Sequence, residues 1–260
     1  MPDPVEVRSG IGEVDGYLAR SYRSVPGMSS LFAAAISCGL MRIQTDMGVR
    51  GHVAEIGTFE GRFFIALAKA LQPDERALGI DSFDWPTPAV LDRFEENCRQ
   101  HGIGSERSIT WKADSRTIAP EQLSARLDGG RVRLFHIDGD HTRAALTRDL
   151  ELATAVLCPG GLIVLDDMLH PSYPMLVMAV HDYLAQHPEM TVLAVLDRES
   201  ISAASKFVLC EKSWFKRYEA ALLADYKANV WPMGANFEPH WCLVLSLDTQ
   251  LPDLGGPAAD

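Results

Sequence analysis

Short apolar runs alternate with helix-length amphipathic stretches through the middle of the chain, and this alternation constrains the fold more than any other feature. The runs lie at residues 52–56, 77–81, 108–112, 131–138 and 161–166, several of them closing on an acid or a glycine. Helical stretches separate them at 62–71, 89–101, 120–127 and 142–157. Pro73, Gly102, Gly129-Gly130 and Pro159-Gly160-Gly161 punctuate the joins. Strands spaced by helices of this length build βαβ units, whose parallel sheet is covered by helices on both faces.

Beyond Asp167 the pattern continues. Leu176, Val180 and Leu184 recur at every fourth residue, as one buried helix face requires, and predict a helix over 175–186. Strands are expected at 191–196 and 206–210, and the 197–205 connection is too short for a helical crossover, so the pair is an antiparallel hairpin. An Ala-, Leu-, Ile- and Met-rich stretch at 28–47 predicts a helix on the sheet, 213–227 another helix, and 241–247 a last strand. The expected architecture is α/β, a Rossmann-like, doubly wound and mostly parallel seven-stranded sheet with an antiparallel terminal hairpin. Residues 51–212 would form its core, 1–50 an N-terminal helical extension and 213–260 a C-terminal extension, with no linker setting either apart.

Composition narrows the function. The 260 residues are 47% hydrophobic and 23% charged, a globular balance that excludes wholesale disorder. A net charge of −11 repels phosphate backbones and argues against nucleic acid as the partner. No apolar run reaches the roughly 18 residues that a bilayer span needs. Met1 to Asp15 carry acids and no signal-peptide core, so a cytoplasmic protein without a membrane partner is expected. Cys38, Cys98, Cys158, Cys210 and Cys242 are odd in number and widely spaced, which suits buried free thiols rather than disulfides or a zinc site.

The first strand runs into Glu55-Ile56-Gly57-Thr58-Phe59-Glu60-Gly61 and then a helix. Gly57 permits a sharp turn with a ligand close to the backbone, and Gly61 lets the helix begin near the strand. The pattern is E-x-G-x-x-x-G and lacks the middle glycine of the dinucleotide fingerprint, so a ligand without a pyrophosphate fits better. Asp81 closes the second strand 24 residues after Gly57, where a carboxylate can accept both ribose hydroxyls. A tight βα turn and a helix-capping acid would explain the same residues without a ligand. The third strand ends in Ala113-Asp114-Ser115, and Asp114 is open to the same two readings.

Over residues 51–211 this set resembles the class I S-adenosylmethionine-dependent methyltransferases. The resemblance implies that the 57–61 turn lies against the methionine part of the cofactor with Glu55 beneath it, that Asp81 holds the ribose, and that Asp114 and Ser115 lie at the adenine. Thr58, Ser82 and Asp138 complete the implied cofactor-binding set.

Two further strands end in acids, at Asp138-Gly139-Asp140-His141 and at Asp166-Asp167. The carboxyl ends of parallel strands face the ligand crevice, so Asp138, Asp166 and Asp167 are brought together there. Three carboxylates repel one another unless a cation or protons compensate, and an oxygen-only set selects a hard ion such as Mg²⁺. The alternative is that Asp138 caps the following helix and Asp166-Asp167 opens a loop. The 28-residue spacing of Asp138 to Asp166 is similar to that of catechol O-methyltransferase, where an asparagine follows the second aspartate; Asp167 departs from it. An acid there, with the D-G-D-H string, instead resembles bacterial sugar O-methyltransferases acting on macrolides and related natural products. That resemblance implies Asp138, Asp166 and Asp167 as metal ligands and His141 as the base. A His three residues past a ligand can take a proton near pH 7 from a hydroxyl acidified by the ion. Asp140 is a candidate to orient His141 or to add a water-mediated metal contact, and His136 reads as a satisfied core histidine.

The expected activity is thus S-adenosylmethionine-dependent, Mg²⁺-assisted O-methylation of a small-molecule hydroxyl on a sugar, a phenol or another natural product. The rivals are a nicotinamide-dependent oxidoreductase, against which the missing glycine counts, and a non-catalytic cofactor-binding module. The 168–174 loop is a candidate for shaping the acceptor pocket, residues 26–29 for covering the methionine end of the cofactor, residues 84–86 for lining the adenosine pocket, Tyr22 and residues 231–233 for a lid, and the aromatic-rich 214–241 stretch for burying surface in a homo-oligomer.

Overall fold

A computed structural model describes residues 7–238 and 240–250; the Gly255–Asp260 tail lies outside the described residues. Strands β1 (His52–Ile56), β2 (Ala77–Asp81), β3 (Ser108–Lys112), β4 (Val132–Ile137), β5 (Leu157–Met168), β6 (Met190–Leu196), β7 (Ser205–Glu211), β8 (Ala235–Phe237) and β9 (His240–Leu245) form one sheet. Its order is β3-β2-β1-β4-β5-β7-β6-β9-β8. β1 to β5 run parallel, and β7 enters antiparallel between β5 and β6. The expected seven-stranded arrangement with its antiparallel hairpin is therefore present.

Two strands extend it. β9 pairs parallel with β6 and covers what would otherwise be an open edge, while β8 pairs antiparallel with β9. β9 matches the strand expected at 241–247. β8 was not expected, since three residues carry no readable alternation.

Helices α1 (Gly12–Arg20), α2 (Leu31–Asp46), α3 (Arg62–Lys69), α4 (Val90–Gln100) and α8 (Lys212–Asp225) supply one core, with Phe32, Ile36, Phe63, Phe64, Phe94 and Tyr218 buried in it. On the other face α5 (Pro120–Arg126), α6 (Arg143–Val156) and α7 (Met175–Gln186) bury Leu123, Leu146, Leu150, Leu176 and Val180. α2 starts later than the sequence suggests because two side chains cap it. Ser30 accepts from the Ala33 amide at 2.9 Å, and Glu199, from the β6–β7 loop, accepts from the Phe32 amide at 2.7 Å. All five cysteines are free and buried. No helix among the described residues is long and apolar enough to cross a membrane.

The order in which strands are laid down reverses between β1 and β4, which are parallel neighbours although β2 and β3 follow β1 in sequence. A crevice at such a switch point opens beyond the strands' carboxyl ends, where Asp81, Asp138, Asp166 and Asp167 all lie.

Candidate functional site

A cavity of about 1090 Å³ occupies this crevice. Gly57, Phe59, Asp81, Ser82, Asp114 and Ser115 line one part of it, and Asp138, Gly139, His141, Asp166, Asp167 and Tyr173 another. Gly57 has φ +82°, and a Cβ there would fall on the Asp138 carbonyl, so the ends of β1 and β4 approach more closely than any side chain allows.

Asp81 is held from two sides. Its Oδ2 accepts from the Phe59 amide at 2.9 Å and its Oδ1 from the Phe83 amide at 2.7 Å. Both phenylalanines adopt left-handed backbone, with φ 48° and 51°. Two loops thereby aim one carboxylate at the cavity while leaving lone pairs for a diol. Trp85, exposed beside Phe59 with ring centres 5.7 Å apart, adds an aromatic wall.

Asp114 realises both readings at once. It caps the short 3₁₀ turn Ser115–Thr117 by accepting from the Arg116 amide at 3.0 Å, and it lines the cavity. Arg116 bonds Asp114 through Nη2 at 2.7 Å, holding its carboxyl below the usual range, and reaches Asp140 at 3.7 Å. Asp140 thus faces Arg116, so the structure does not bring it to His141 as an orienting group. Glu55, Thr58 and Gly61 stand behind the cavity wall rather than on it. Glu55 is buried beneath the turn, and its Oε1 meets His136 Nδ1 at 2.9 Å. Tyr22 is buried, and Trp231 and Met233 are not part of the lining.

At the other end, one ligating atom each from Asp138, His141 and Asp167 lie within 4.8 Å of one another. His141 Nε2 sits 2.6 Å from Asp167 Oδ2 and 3.9 Å from Asp138 Oδ1. Left-handed backbone at Asp167 (φ 57°) and Leu169 (φ 60°) bends the chain as β5 ends and turns Asp167 toward His141. Tyr173 stacks on His141 with ring centres 4.2 Å apart, and His170 stacks on Tyr173 at 4.7 Å.

The electrostatics are those of a site short of positive charge. Asp138 lies on the cavity wall, and burial, then the neighbouring Asp166, push its pKa up to about 7. The Asp138 and Asp167 carboxylates hold His141 as an imidazolium, raised to about 10. This donor set fits a hard divalent cation, with the imidazolium standing where such a charge is wanted.

Asp166 is not among the converging atoms. Its Oδ2 pairs with the Lys206 ammonium and accepts from Ser29 Oγ at 2.9 Å, while its Oδ1 accepts from the Asp167 amide at 2.8 Å. Burial works to raise its pKa, but the Lys206 ammonium holds it down at about 2. The sequence reading missed Lys206; the signal was a lone lysine opening an otherwise apolar strand.

Asp149, on α6 beneath Gly139, is buried with neither oxygen in a well-formed hydrogen bond, and burial lifts its pKa to about 6 despite the nearby Ser115. A raised carboxyl destabilises the fold once the pH exceeds the unfolded value near 4, with the full cost above about 6. Asp149→Asn is therefore expected to raise the melting temperature at pH 8, by up to about 3 kcal/mol of stability. The same variant should leave it unchanged at pH 4. Equal shifts at both pH values in paired thermal melts would refute this.

Residues 54–168, which carry most of this lining, match the family model described as a methyltransferase domain. No curated protein matches the sequence. Among solved structures, the chain is similar to CalS11, a TDP-rhamnose 3'-O-methyltransferase of calicheamicin biosynthesis, at 18% identity. That likeness covers 76% of this chain and 91% of that one, with a TM-score of 0.54. TomG from Streptomyces achromogenes, an O-methyltransferase of tomaymycin synthesis solved with S-adenosylmethionine, is 18% identical over 80% of this chain and 98% of its own, with a TM-score of 0.53. The O-methyltransferase NovP is 16% identical over 70% and 80%, with a TM-score of 0.55. At these identities the likeness establishes the fold, that of the class I methyltransferases.

Proposed function

We propose that this chain, whose residues 54–168 are a methyltransferase domain on a class I fold, transfers a methyl group from S-adenosylmethionine to a hydroxyl of a small molecule. One observation carries the reading: a single cavity joins a carboxylate aimed at a diol, Asp81, to an acid-imidazole cluster, Asp138, His141 and Asp167. Bound there, the cofactor supplies a sulfonium methyl, and a hard divalent cation, Mg²⁺ by its donor set, supplies the charge that acidifies a hydroxyl.

Asp81 accepts the ribose hydroxyls, Ser82, Asp114 and Ser115 border the adenine, and the backbone of Gly57 and Gly139 leaves room for the methionine portion. Asp138 and Asp167 hold the cation, and Asp166 adds its charge from behind. Once those carboxylates are neutralised, the pKa of His141 falls back toward the imidazole range and Nε2 can take the acceptor's proton. Tyr173 keeps the ring in place by stacking on it. Rate then comes mainly from holding oxygen and methyl in line.

The acceptor is a sugar, a phenol or a related natural product; the cavity has room for one beside the cofactor, and CalS11 acts on a nucleotide sugar. The net charge of −11 favours such a molecule over a polynucleotide. Five free thiols suit a reducing cytoplasm.

Calorimetric titration with S-adenosylhomocysteine, with NAD⁺ as the contrasting ligand, tests the cofactor. Micromolar or tighter binding of the first alone is expected. Binding of NAD⁺ alone would make the protein an oxidoreductase, and binding of neither would leave a non-catalytic module. Methylation of a panel of sugars and phenols should then fall at least tenfold on adding a chelator and return with Mg²⁺.

A further inference from the structure

Lys206 is a buried charged group in this region that the methyl transfer described above does not use. It is the second residue of β7, its side chain is fully buried, and its ammonium has four neighbours. It pairs with Asp166, donates to Ser29 Oγ at 3.2 Å, meets His136 Nε2 at 3.3 Å and lies 4.8 Å from the centre of the Phe63 ring. Burial and Lys206 both hold His136 neutral, so Nε2 accepts from the ammonium while Nδ1–H points at Glu55. The result is a polar row across four strands, Glu55 on β1, His136 on β4, Asp166 on β5 and Lys206 on β7. α2's approach is fixed to the same row through Ser29.

A buried ammonium needs a counter-ion, and Asp166 is the carboxylate in contact with it. We infer that Lys206 is a positioning residue for the cation site: it keeps Asp166 as its own partner, so the site presents Asp138 and Asp167 to a cation instead of three carboxylates. With Asp138, Asp166, Asp167, Lys206 and a divalent ion the charges sum to zero; without Lys206 they would sum to −1. The lysine therefore loosens the ion's hold and leaves more of its charge unquenched for an acceptor hydroxyl. This rests on the cation reading of the site and adds the residue that tunes it.

The test is Mn²⁺ binding to the purified protein by calorimetry, for the wild type, Lys206→Met and Lys206→Arg, with S-adenosylhomocysteine binding as the measure of an intact fold. Removing a unit positive charge this close is expected to tighten Mn²⁺ binding by about tenfold or more in Lys206→Met. Lys206→Arg, which keeps the charge, should stay within about threefold of wild type. A crystal grown with Mn²⁺ should show Asp166 on Lys206 in the wild type and on the metal in Lys206→Met. Equal or weaker Mn²⁺ binding by a Lys206→Met protein that still binds S-adenosylhomocysteine would overturn the inference while leaving the methyltransferase reading intact. Metal binding by Lys206→Met alone would support it in its strongest form. Absence of Mn²⁺ binding in every variant would remove both the inference and the cation part of the proposed function. Asp166 coordinating Mn²⁺ in the wild type would also overturn it.

Discussion

Asp138→Asn is expected to lose methyl transfer about a thousandfold and, at the same time, to melt at a higher temperature than the wild type at pH 8. The two effects share one cause. Asp138 is a carboxylate that burial and Asp166 make costly to ionise, as its pKa near 7 records. An ordinary aspartate ionises about three units lower, so in the absence of a cation the folded state carries that cost throughout the neutral range. The amide is nearly isosteric and uncharged, so it removes the cost; below about pH 4, where the acid is protonated folded and unfolded, the stability gain should vanish. The same amide removes the charge that draws a cation and the partner that His141 needs, and losing either is worth two to four orders of magnitude in rate. Binding of S-adenosylhomocysteine should change less than tenfold, because Asp81 stands at the far end of the cavity. Activity within tenfold of wild type would mean that Asp138 is a wall residue. A lower melting temperature at pH 8 would mean that its pairing with the His141 imidazolium outweighs the cost of its burial. Loss of function with gain of stability is the pattern of a group kept for chemistry at the fold's expense.

The order of strands and helices was legible because each element is long enough to show its period. α7 runs over the very residues that Leu176, Val180 and Leu184 outline, and β1, β2 and β3 fall on their apolar runs. What failed to show was what period cannot encode. β8 is three residues long and exists only because β9 lies beside it. The start of α2 depends on Glu199, 167 residues away in the chain. The site divides in the same way. That acids gather at the ends of β4 and β5 follows from topology, so Asp138, Asp166 and Asp167 could be named from sequence. Which of them face one another follows from backbone bends at Asp167 and Leu169 and from a lysine on another strand, and neither has a local signature. Nor does the glycine motif say which of its members touch the cavity: Gly57 and Phe59 do, whereas Thr58 and Gly61 serve the packing behind it.

Asp81→Ala is expected to weaken S-adenosylhomocysteine binding by about a hundredfold to ten-thousandfold and S-adenosylmethionine binding similarly. Each oxygen of Asp81, on the cavity wall, already accepts one backbone amide, at 2.9 and 2.7 Å, and has capacity to accept a second donor. Two ribose hydroxyls donating to those lone pairs make hydrogen bonds to a charged acceptor, worth about 1.5–3 kcal/mol each. Alanine removes both at once, and each 1.4 kcal/mol is a tenfold change in affinity, which sets the range. Part of the loss comes indirectly. Without the carboxylate the Phe59 and Phe83 amides lose their acceptor, and the left-handed backbone at both residues loses what holds it. That part is measurable on its own: the unliganded variant should melt only a few degrees lower, since about 1 kcal/mol shifts a chain of this size by roughly 2–4 °C. The ligand-induced rise in melting temperature, by contrast, should nearly disappear. Asp81→Asn separates the two contributions, because its single amide oxygen can accept from one backbone N–H and one hydroxyl, half of what the carboxylate accepts. Its affinity should fall between wild type and Asp81→Ala. If Asp81→Ala bound S-adenosylhomocysteine within tenfold of wild type, the ribose would lie elsewhere in the cavity and the orientation of the cofactor would have to be reversed.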